Sequence, residues 1–423
     1  MSSQEAGATP SHLTRRGFIQ GVGATAAGVA VGLQLAAPAA EREMGADERL
    51  GVGLIGCGGR MGAHIGVLLA LQNQGQPVDI VAVQDIYTPR IEAAVQRTGA
   101  KPYRDHRELL ADPKVDIVAI ASPDRHHAPQ AIDAVLAGKD VYVEKPLTHW
   151  QQFPVLRKLA HVAEEKKAVV QVGTQRAADS IWRQARELIK EGAIGKPVHA
   201  QLGFFRQGDW GERGMPILDP NARPGPDLNW KAFLGDAPYR EFSVSRFFRW
   251  RMYLDYAGGP PTDLYPHVLT PLAIALDLKF PTRVAGAGGK LYYNHEREVP
   301  DTANLLMDYP EGLSVAFLGT QVNGRDMEMC VRGSEATLCF DGPGIRLFSA
   351  DGNPKPIREV PREQPGDLPE LWANLLQCVR TRETPWSDVR TQYHVQTAII
   401  MGMLSLMEGK TAHFDSEHEA ILM

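Results

Sequence analysis

From residue 50 to residue 172, short aliphatic runs alternate with stretches whose apolar positions recur every three or four residues. The runs at 50–55, 78–84, 115–121, 141–143 and 168–172 have the length and continuous apolar texture of strands buried on both faces. Between them, 62–72, 87–97, 128–137 and 153–166 carry helical periodicity, so each consecutive pair of strands is joined by a crossover long enough for parallel pairing. The pattern predicts an α/β domain at 49–174 built on a doubly wound parallel sheet.

Beyond residue 175 the texture changes. One helix is predicted at 181–191, followed by a polar, Pro- and Gly-rich region at 207–238. Segments at 283–291, 302–309, 313–320, 327–332 and 336–340 alternate apolar and polar positions, and helical periodicity returns at 368–381 and 395–408. Alternation of that kind fits antiparallel strands with one covered face. Residues 175–423 are therefore expected to form an α+β domain with a large, mainly antiparallel open sheet, which would bind substrate and pair with other copies in a homo-oligomer.

Composition narrows the function. The 423 residues are 43% hydrophobic and 22% charged, with a net charge of -5 and both signs interleaved, so nothing calls for nucleic acid. Cys57, Cys330, Cys339 and Cys378 lack the paired spacing of a zinc site and read as small buried hydrophobes, although a Cys330–Cys339 bridge stays open for an exported chain. Residues 1–40 stand apart. Thr14-Arg15-Arg16-Gly17-Phe18-Ile19 precedes an Ala/Gly-rich stretch and then Ala37-Pro38-Ala39, a small-x-small site, and together these resemble a twin-arginine export signal. A membrane helix is the competing reading, but Gly21, Gly28, Gln20, Thr25 and Gln34 make the stretch weakly apolar. The expected partner is the twin-arginine export machinery, and the expected location periplasmic or extracellular.

Candidate chemistry begins at the first strand end. Gly56, Gly58, Gly59, Arg60 and Met61 form a glycine-rich turn opening a helix, where the backbone can approach a pyrophosphate; Met61 stands where a third glycine is usual. Asp85, closing the second strand, has the spacing of an acid that binds ribose hydroxyls, which favours NAD over NADP. Ser122-Pro123-Asp124-Arg125-His126-His127 and Glu144-Lys145-Pro146 follow the next two long strands, where a cofactor crevice forms; Ser122, Pro123, His127, Glu144, Lys145 and Pro146 are the candidate nicotinamide-side residues. Asp263 and His267, in Asp263-Leu264-Tyr265-Pro266-His267, are four apart and would share a helix face, His267 as base and Asp263 orienting it or binding a substrate hydroxyl. A core histidine and a metal pair are the competing readings; no metal site is expected, because no third ligand has suitable spacing.

In this order the motifs resemble the Gfo/Idh/MocA family, the glucose–fructose oxidoreductase and inositol dehydrogenase group. The resemblance extends over nearly all of Arg49 to the C-terminus. It implies that Lys145 is the catalytic lysine, with Glu144 orienting it and Pro146 shaping the turn, and it adds Gln175 and Arg176 as pocket residues. Arg249, Arg251 and Tyr256, in an alternation of arginines and aromatics, could line a sugar site or a half-buried strand. The expected function is that of an exported NAD(P)-dependent oxidoreductase moving hydride between a sugar or polyol carbon and nicotinamide. Two alternatives accompany it: an NAD-dependent glycosidase or lyase acting through transient oxidation, and a non-catalytic sugar-binding protein. Free NAD is scarce outside the cytoplasm, so export implies a tightly held cofactor.

Overall fold

The computed structural model describes residues 48–423, and the expected export signal lies outside them. The first sheet comprises β1 (Leu50–Ile55), β2 (Val78–Gln84), β3 (Lys101–Tyr103), β4 (Ile117–Ile120), β5 (Asp140–Val143) and β6 (Val170–Val172). These strands are parallel in the order β3-β2-β1-β4-β5-β6, the arrangement of a dinucleotide-binding sheet. The helices are α1 (Gly59–Asn73), α2 (Thr88–Thr98), α3 (His106–Leu110), α4 (Asp124–Leu136) and α5 (Phe153–Glu165). Strand bounds for β1 and β2 match the aliphatic runs. Helix α4 begins four residues earlier than its apolar period suggests, because Pro123 caps it and its first turn is polar. Its first turn therefore sits at the end of β4, where the crevice opens.

The second part comprises α6 (Ser180–Lys190), β7 (Pro197–Phe205), α7 (Trp230–Leu234), α8 (Val244–Phe248), α9 (Pro260–Asp263) and α10 (Pro266–Leu276). There follow β8 (Arg283–Gly289), β9 (Thr302–Tyr309), β10 (Leu313–Thr320), β11 (Met329–Gly333), β12 (Ala336–Asp341), β13 (Gly344–Ser349) and β14 (Arg358–Pro361). The chain ends with α11 (Leu368–Thr381), α12 (Val389–Glu408), β15 (Ala412–Asp415) and β16 (Ala420–Leu422). The sheet runs β14-β13-β12-β11-β7-β10-β9-β8-β15-β16, and among its pairings β7 with β10 is parallel while the rest are antiparallel. On β10, Leu313, Val315 and Phe317 are buried while the residues between them are half-buried, and the buried set packs with residues of α6, α10 and α12. This is the expected single covered face. Truncating a residue of that face, such as Leu305, to alanine costs about 2–5 kcal/mol.

Two features bear on the site. Helix α11 returns to the first domain, where Leu371, Trp372 and Leu375 share a core with Leu54, Ile65 and Leu68. Residues 206–259, between β7 and α9, form a strap with an aromatic core of its own, including Trp230, Phe233, Phe247, Phe248 and Tyr256 packed with Tyr87. The strap is fastened to the first domain along its length. Tyr87 donates to Asp219 at 3.0 Å, Thr88 N–H to the Asp227 carbonyl at 2.9 Å, and Asn229 N–H to the Ile86 carbonyl at 3.0 Å. Farther along, Arg125 donates to the Asp255 carbonyl at 2.5 Å and to Asp236 at 3.2 Å, and Gln152 donates to Asp236 at 2.9 Å.

Candidate functional site

A cleft of about 290 Å³ opens between the strand ends of the first sheet and the strap. Its floor contains Gly56, Gly58, Gly59, Arg60, Asp85, Ser122 and Pro123, and its other wall Met215, Pro216, Phe233, Trp250 and Arg251. Gly56 has φ +82°, and a Cβ there would lie 2.7 Å from the Ser122 nitrogen, so glycine is required for the two strand ends to approach. Gly58 has only Arg90 at the edge of contact and Gly59 has open space, and no side chain caps α1. The N–H groups opening α1 are thus available to an anion, as a pyrophosphate site needs.

The Met61 side chain does not face the cleft. It is 0% exposed within the α1 core and supplies the helix-to-sheet packing of the missing glycine, so any part Met61 has in holding an anion falls to its backbone N–H in the first turn. Asp85 is buried and accepts from Cys57 N–H at 2.8 Å and Tyr87 N–H at 3.0 Å, which ties the glycine turn to the end of β2. Burial raises its pKa, against the opposing charge of Arg90 and these N–H groups. His127, expected beside the cofactor, is a buried brace: Nδ1 lies 2.7 Å from the Pro146 carbonyl and Nε2 2.7 Å from the Ser122 carbonyl, joining the two strand-end loops. Burial pushes it down to about 4, so the neutral ring donates to one carbonyl at a time. Ser122 and Pro123 do line the cleft, with Ser122 Oγ donating to Gln130 at 2.7 Å.

The Glu144-Lys145-Pro146 turn separates its charges onto two sides. Lys145 Nζ donates to Asp263 Oδ1 at 2.7 Å and to the Asp263 carbonyl at 2.6 Å. Arg251 Nε lies 3.3 Å from the same carboxylate oxygen. Burial alone would raise the Asp263 pKa, but Lys145 and Arg251 hold it well below the usual carboxylate range. Glu144 points elsewhere, accepting from Arg60 Nε at 2.7 Å and meeting His64 Nε2 at 3.0 Å; these partners overcome burial and keep it ionised. Asp263, not Glu144, therefore orients Lys145. Gly173 makes room for Glu144, since a Cβ there would lie 2.6 Å from its Oε1.

Asp263 and His267 do not share one helix face. Pro266 occupies the first turn of α10, so the chain is broken between Asp263, which ends α9, and His267. Gln175 orients His267 in Asp263's place. With its amide assigned so that the oxygen accepts from Arg60, Gln175 donates to His267 Nδ1 at 3.2 Å and to the Gly173 carbonyl at 3.3 Å. That leaves the ring proton on Nε2. Burial, reinforced by Lys145, pushes His267 down to about 3 with Asp263 acting the other way, so the ring is neutral, with Nδ1 engaged by Gln175 and Nε2 carrying the proton.

The remaining expected residues divide. Arg251 joins the cleft and stacks on Trp250 at 4.2 Å, and Arg176 lies exposed in the 3₁₀ turn Gln175–Ala178, near enough to His267 for its charge to be felt. Arg249 turns to the Met215 carbonyl at 2.9 Å and holds the strap. Tyr256 is fully buried against Phe233 at 5.1 Å, a core residue and not a sugar contact. The segment is not the half-buried strand its alternation also allowed but α8 followed by the 3₁₀ turn Trp250–Met252. Sequence reasoning missed two site residues. His64 links Glu144 to Trp372 Nε1, which donates to its Nδ1 at 3.0 Å, and its spacing four after Arg60 on α1 is the available signal. Asp124, inside the recognised segment, is 2% exposed and its Oδ1 has no partner.

Residues 50–174 match a family described as "Oxidoreductase family, NAD-binding Rossmann fold" (GFO_IDH_MocA), and residues 179–285 match its C-terminal alpha/beta domain. The chain is 34% identical over 166 residues to an inositol 2-dehydrogenase of Rubrobacter xylanophilus, covering 39% of this chain and 46% of that protein. It is 33% identical over 128 residues to a scyllo-inositol 2-dehydrogenase (NAD(+)) of Bacillus subtilis, covering 30% and 36%. The matches thus span about half the length of these relatives, or less. Among solved structures, the WlbA dehydrogenase of Bordetella pertussis in complex with NADH and UDP-GlcNAcA superposes with TM-score 0.66 at 19% identity, covering 87% of this chain and 99% of that one. An oxidoreductase domain protein of Kribbella flavida gives 0.67 at 20%, covering 86% and 99%. At such identities the superpositions establish the shared fold.

Proposed function

The chain belongs to the Gfo/Idh/MocA family of oxidoreductases, and from that premise we propose that it moves hydride between nicotinamide and a hydroxyl-bearing carbon of a sugar or polyol. The observation that carries this reading is the Lys145–Asp263 pair at 2.7 Å, set at the strand-end crevice beside a cleft with a free helix N-terminus. The curated relatives that match it act on inositols, which places polyols first among substrates to try. Bound in the cleft, a nicotinamide dinucleotide would supply the hydride acceptor. Gly56, Gly58, Gly59 and Asp85 would hold its adenosine and pyrophosphate portion. Lys145 steadies negative charge on the substrate oxygen, aligned by Asp263, while His267, turned by Gln175, offers Nε2–H as a second donor.

NAD is the preferred cofactor in this reading, because a buried Asp85 repels a 2′-phosphate. The strap favours a cofactor retained through turnover: it forms one wall of the cleft and is fastened along its length. Export by the twin-arginine route, with homo-oligomer assembly through the open sheet, completes the proposal. It rests on the sequence of residues 1–40 and agrees with a cofactor loaded before translocation.

The test is absorbance at 340 nm on protein incubated with NAD and a panel of polyols and sugars. Lys145→Met should lose turnover by about three orders of magnitude, about 4 kcal/mol of transition-state stabilisation, while still binding NAD. Full activity in that variant would remove Lys145 from the mechanism, and absence of NAD binding by the parent protein would remove the proposal.

A further inference from the structure

Alcohol oxidation releases a proton as well as a hydride, and the groups nearest the reacting position are poorly suited to keep it. Asp263 and Glu144 are locked as carboxylates by Lys145 and Arg251 in one case and by Arg60 and His64 in the other. His267 already carries its single proton on Nε2, because Nδ1 accepts from Gln175. One acidic group in the neighbourhood is free of such commitments. Asp124, in the first turn of α4, is 2% exposed with an unpartnered Oδ1, although buried polar atoms are normally paired.

Resting on the oxidoreductase reading above, we propose that Asp124 holds the proton released when substrate is oxidised and returns it when the reaction runs backward. The charged groups whose fields reach it come from three other elements: Arg251 from the 3₁₀ turn after α8, Asp263 from α9, and Lys145 from the loop after β5. Arg251 and Lys145 favour its ionised form, as do the N–H groups opening α4, whereas burial and Asp263 favour the protonated form. Burial prevails over the two cations and the N–H groups, and the carboxyl is pushed up to about 7. Arg125, its chain neighbour, is turned away to the Asp255 carbonyl and Asp236.

The balance of the step is complete. With a nicotinamide dinucleotide bound, the C–H bond would break with its electron pair passing to the oxidised ring, the O–H bond would break with its proton ending on the Asp124 carboxylate, and the carbonyl would form. Positive nicotinamide favours the carboxylate, and loss of that charge on reduction favours the acid. The protonation state of Asp124 is thereby linked to the redox state of the cofactor. Reciprocally, the cofactor's redox preference is linked to pH.

The experiment counts protons and requires no substrate. Calorimetric titration of the whole protein with NAD and separately with NADH, at pH 7 in two buffers of different ionisation enthalpy, gives the protons exchanged on each binding. For the parent protein, NAD should expel a measurably larger fraction of a proton than NADH. Asp124→Asn should bind both with no such difference, and Asp124→Glu should restore it. Once a substrate is known, the rise of kcat for oxidation through pH 7 should flatten in Asp124→Asn. If Asp124→Asn melts below the assay temperature, the parent and Asp124→Glu titrations decide alone. Binding without a proton difference in the parent protein, or with the difference intact in Asp124→Asn, overturns this role and leaves the oxidoreductase reading standing. Failure to bind either nucleotide overturns both.

Discussion

At the residue scale, the ion pairs around the Glu144-Lys145-Pro146 turn do different work. Glu144 is buried, accepts from Arg60 and His64, and lies beneath the glycine turn; its role is to join α1 to β5. Glu144→Gln keeps the shape but leaves Arg60 without its counter-charge, so it should cost about 3 kcal/mol of stability, read as a shift in urea midpoint. Turnover per folded molecule should change far less than in Lys145→Met. An equal collapse of turnover at unchanged stability would return Glu144 to the role of orienting Lys145. The contrast also shows what the motif itself could reveal. Residue types and strand-end placement brought out Lys145, Asp263, Asp85 and the glycines, since turn geometry and charge leave marks in sequence. Which carboxylate aligns Lys145 was not legible, because Glu144 is adjacent in the chain while Asp263 is 118 residues away. Tyr256 was mistaken for a site residue for the converse reason: near the right place, it points into the core.

At the element scale, the buried parallel strands were the most legible, since apolar runs bounded by turns have few other uses, and β1 and β2 begin and end where those runs do. β7 was not read because its sequence, PVHAQLGFF, mixes polar and apolar residues without strict alternation; its pairing with β10 and β11 decides its state. The strap was read only as a polar Pro- and Gly-rich region, since its aromatic core gathers around Tyr87, which lies more than a hundred residues earlier in the chain. If the strap retains the cofactor, loosening a fastening should act on cofactor escape before it acts on chemistry. Asp236 receives Arg125 and Gln152 from the first domain. Asp236→Ala should speed NAD dissociation about tenfold, worth about 1.4 kcal/mol, while kcat at saturating NAD stays within about twofold. Stopped-flow displacement of NAD by an analogue measures the first quantity. An unchanged dissociation rate would mean that the strap walls the cleft without controlling exit.

At the scale of the whole molecule, burial of histidines sets the pH range in which the fold is stable. His127 and His394 are pushed down to about 4, and His149 and His267 to about 3, burial being the largest cause for each. Unfolded, each ring would titrate near 6.5. As pH falls below 6.5 the unfolded chain therefore takes up protons that the folded chain refuses. Each ring then removes about 1.4 kcal/mol per pH unit until its folded-state value is reached. Asp124 acts with the opposite sign. Its folded value of about 7 lies above the ordinary 3.8, so it contributes stability that is full below 3.8 and is lost as pH rises through 7. His64, His126 and His199 are shifted down as well, and Asp85, Asp140 and Glu212 up, so seven rings act against four carboxyls and unfolding free energy should drop between pH 6.5 and 4. Urea titrations at half-unit pH intervals should show this drop. His394→Gln, outside the site and free of catalytic duties, should lessen the slope by about one proton without altering turnover. A flat profile over that interval would mean that the buried rings accept protons in the folded state, which would also undo the assignment of His267 as a neutral donor.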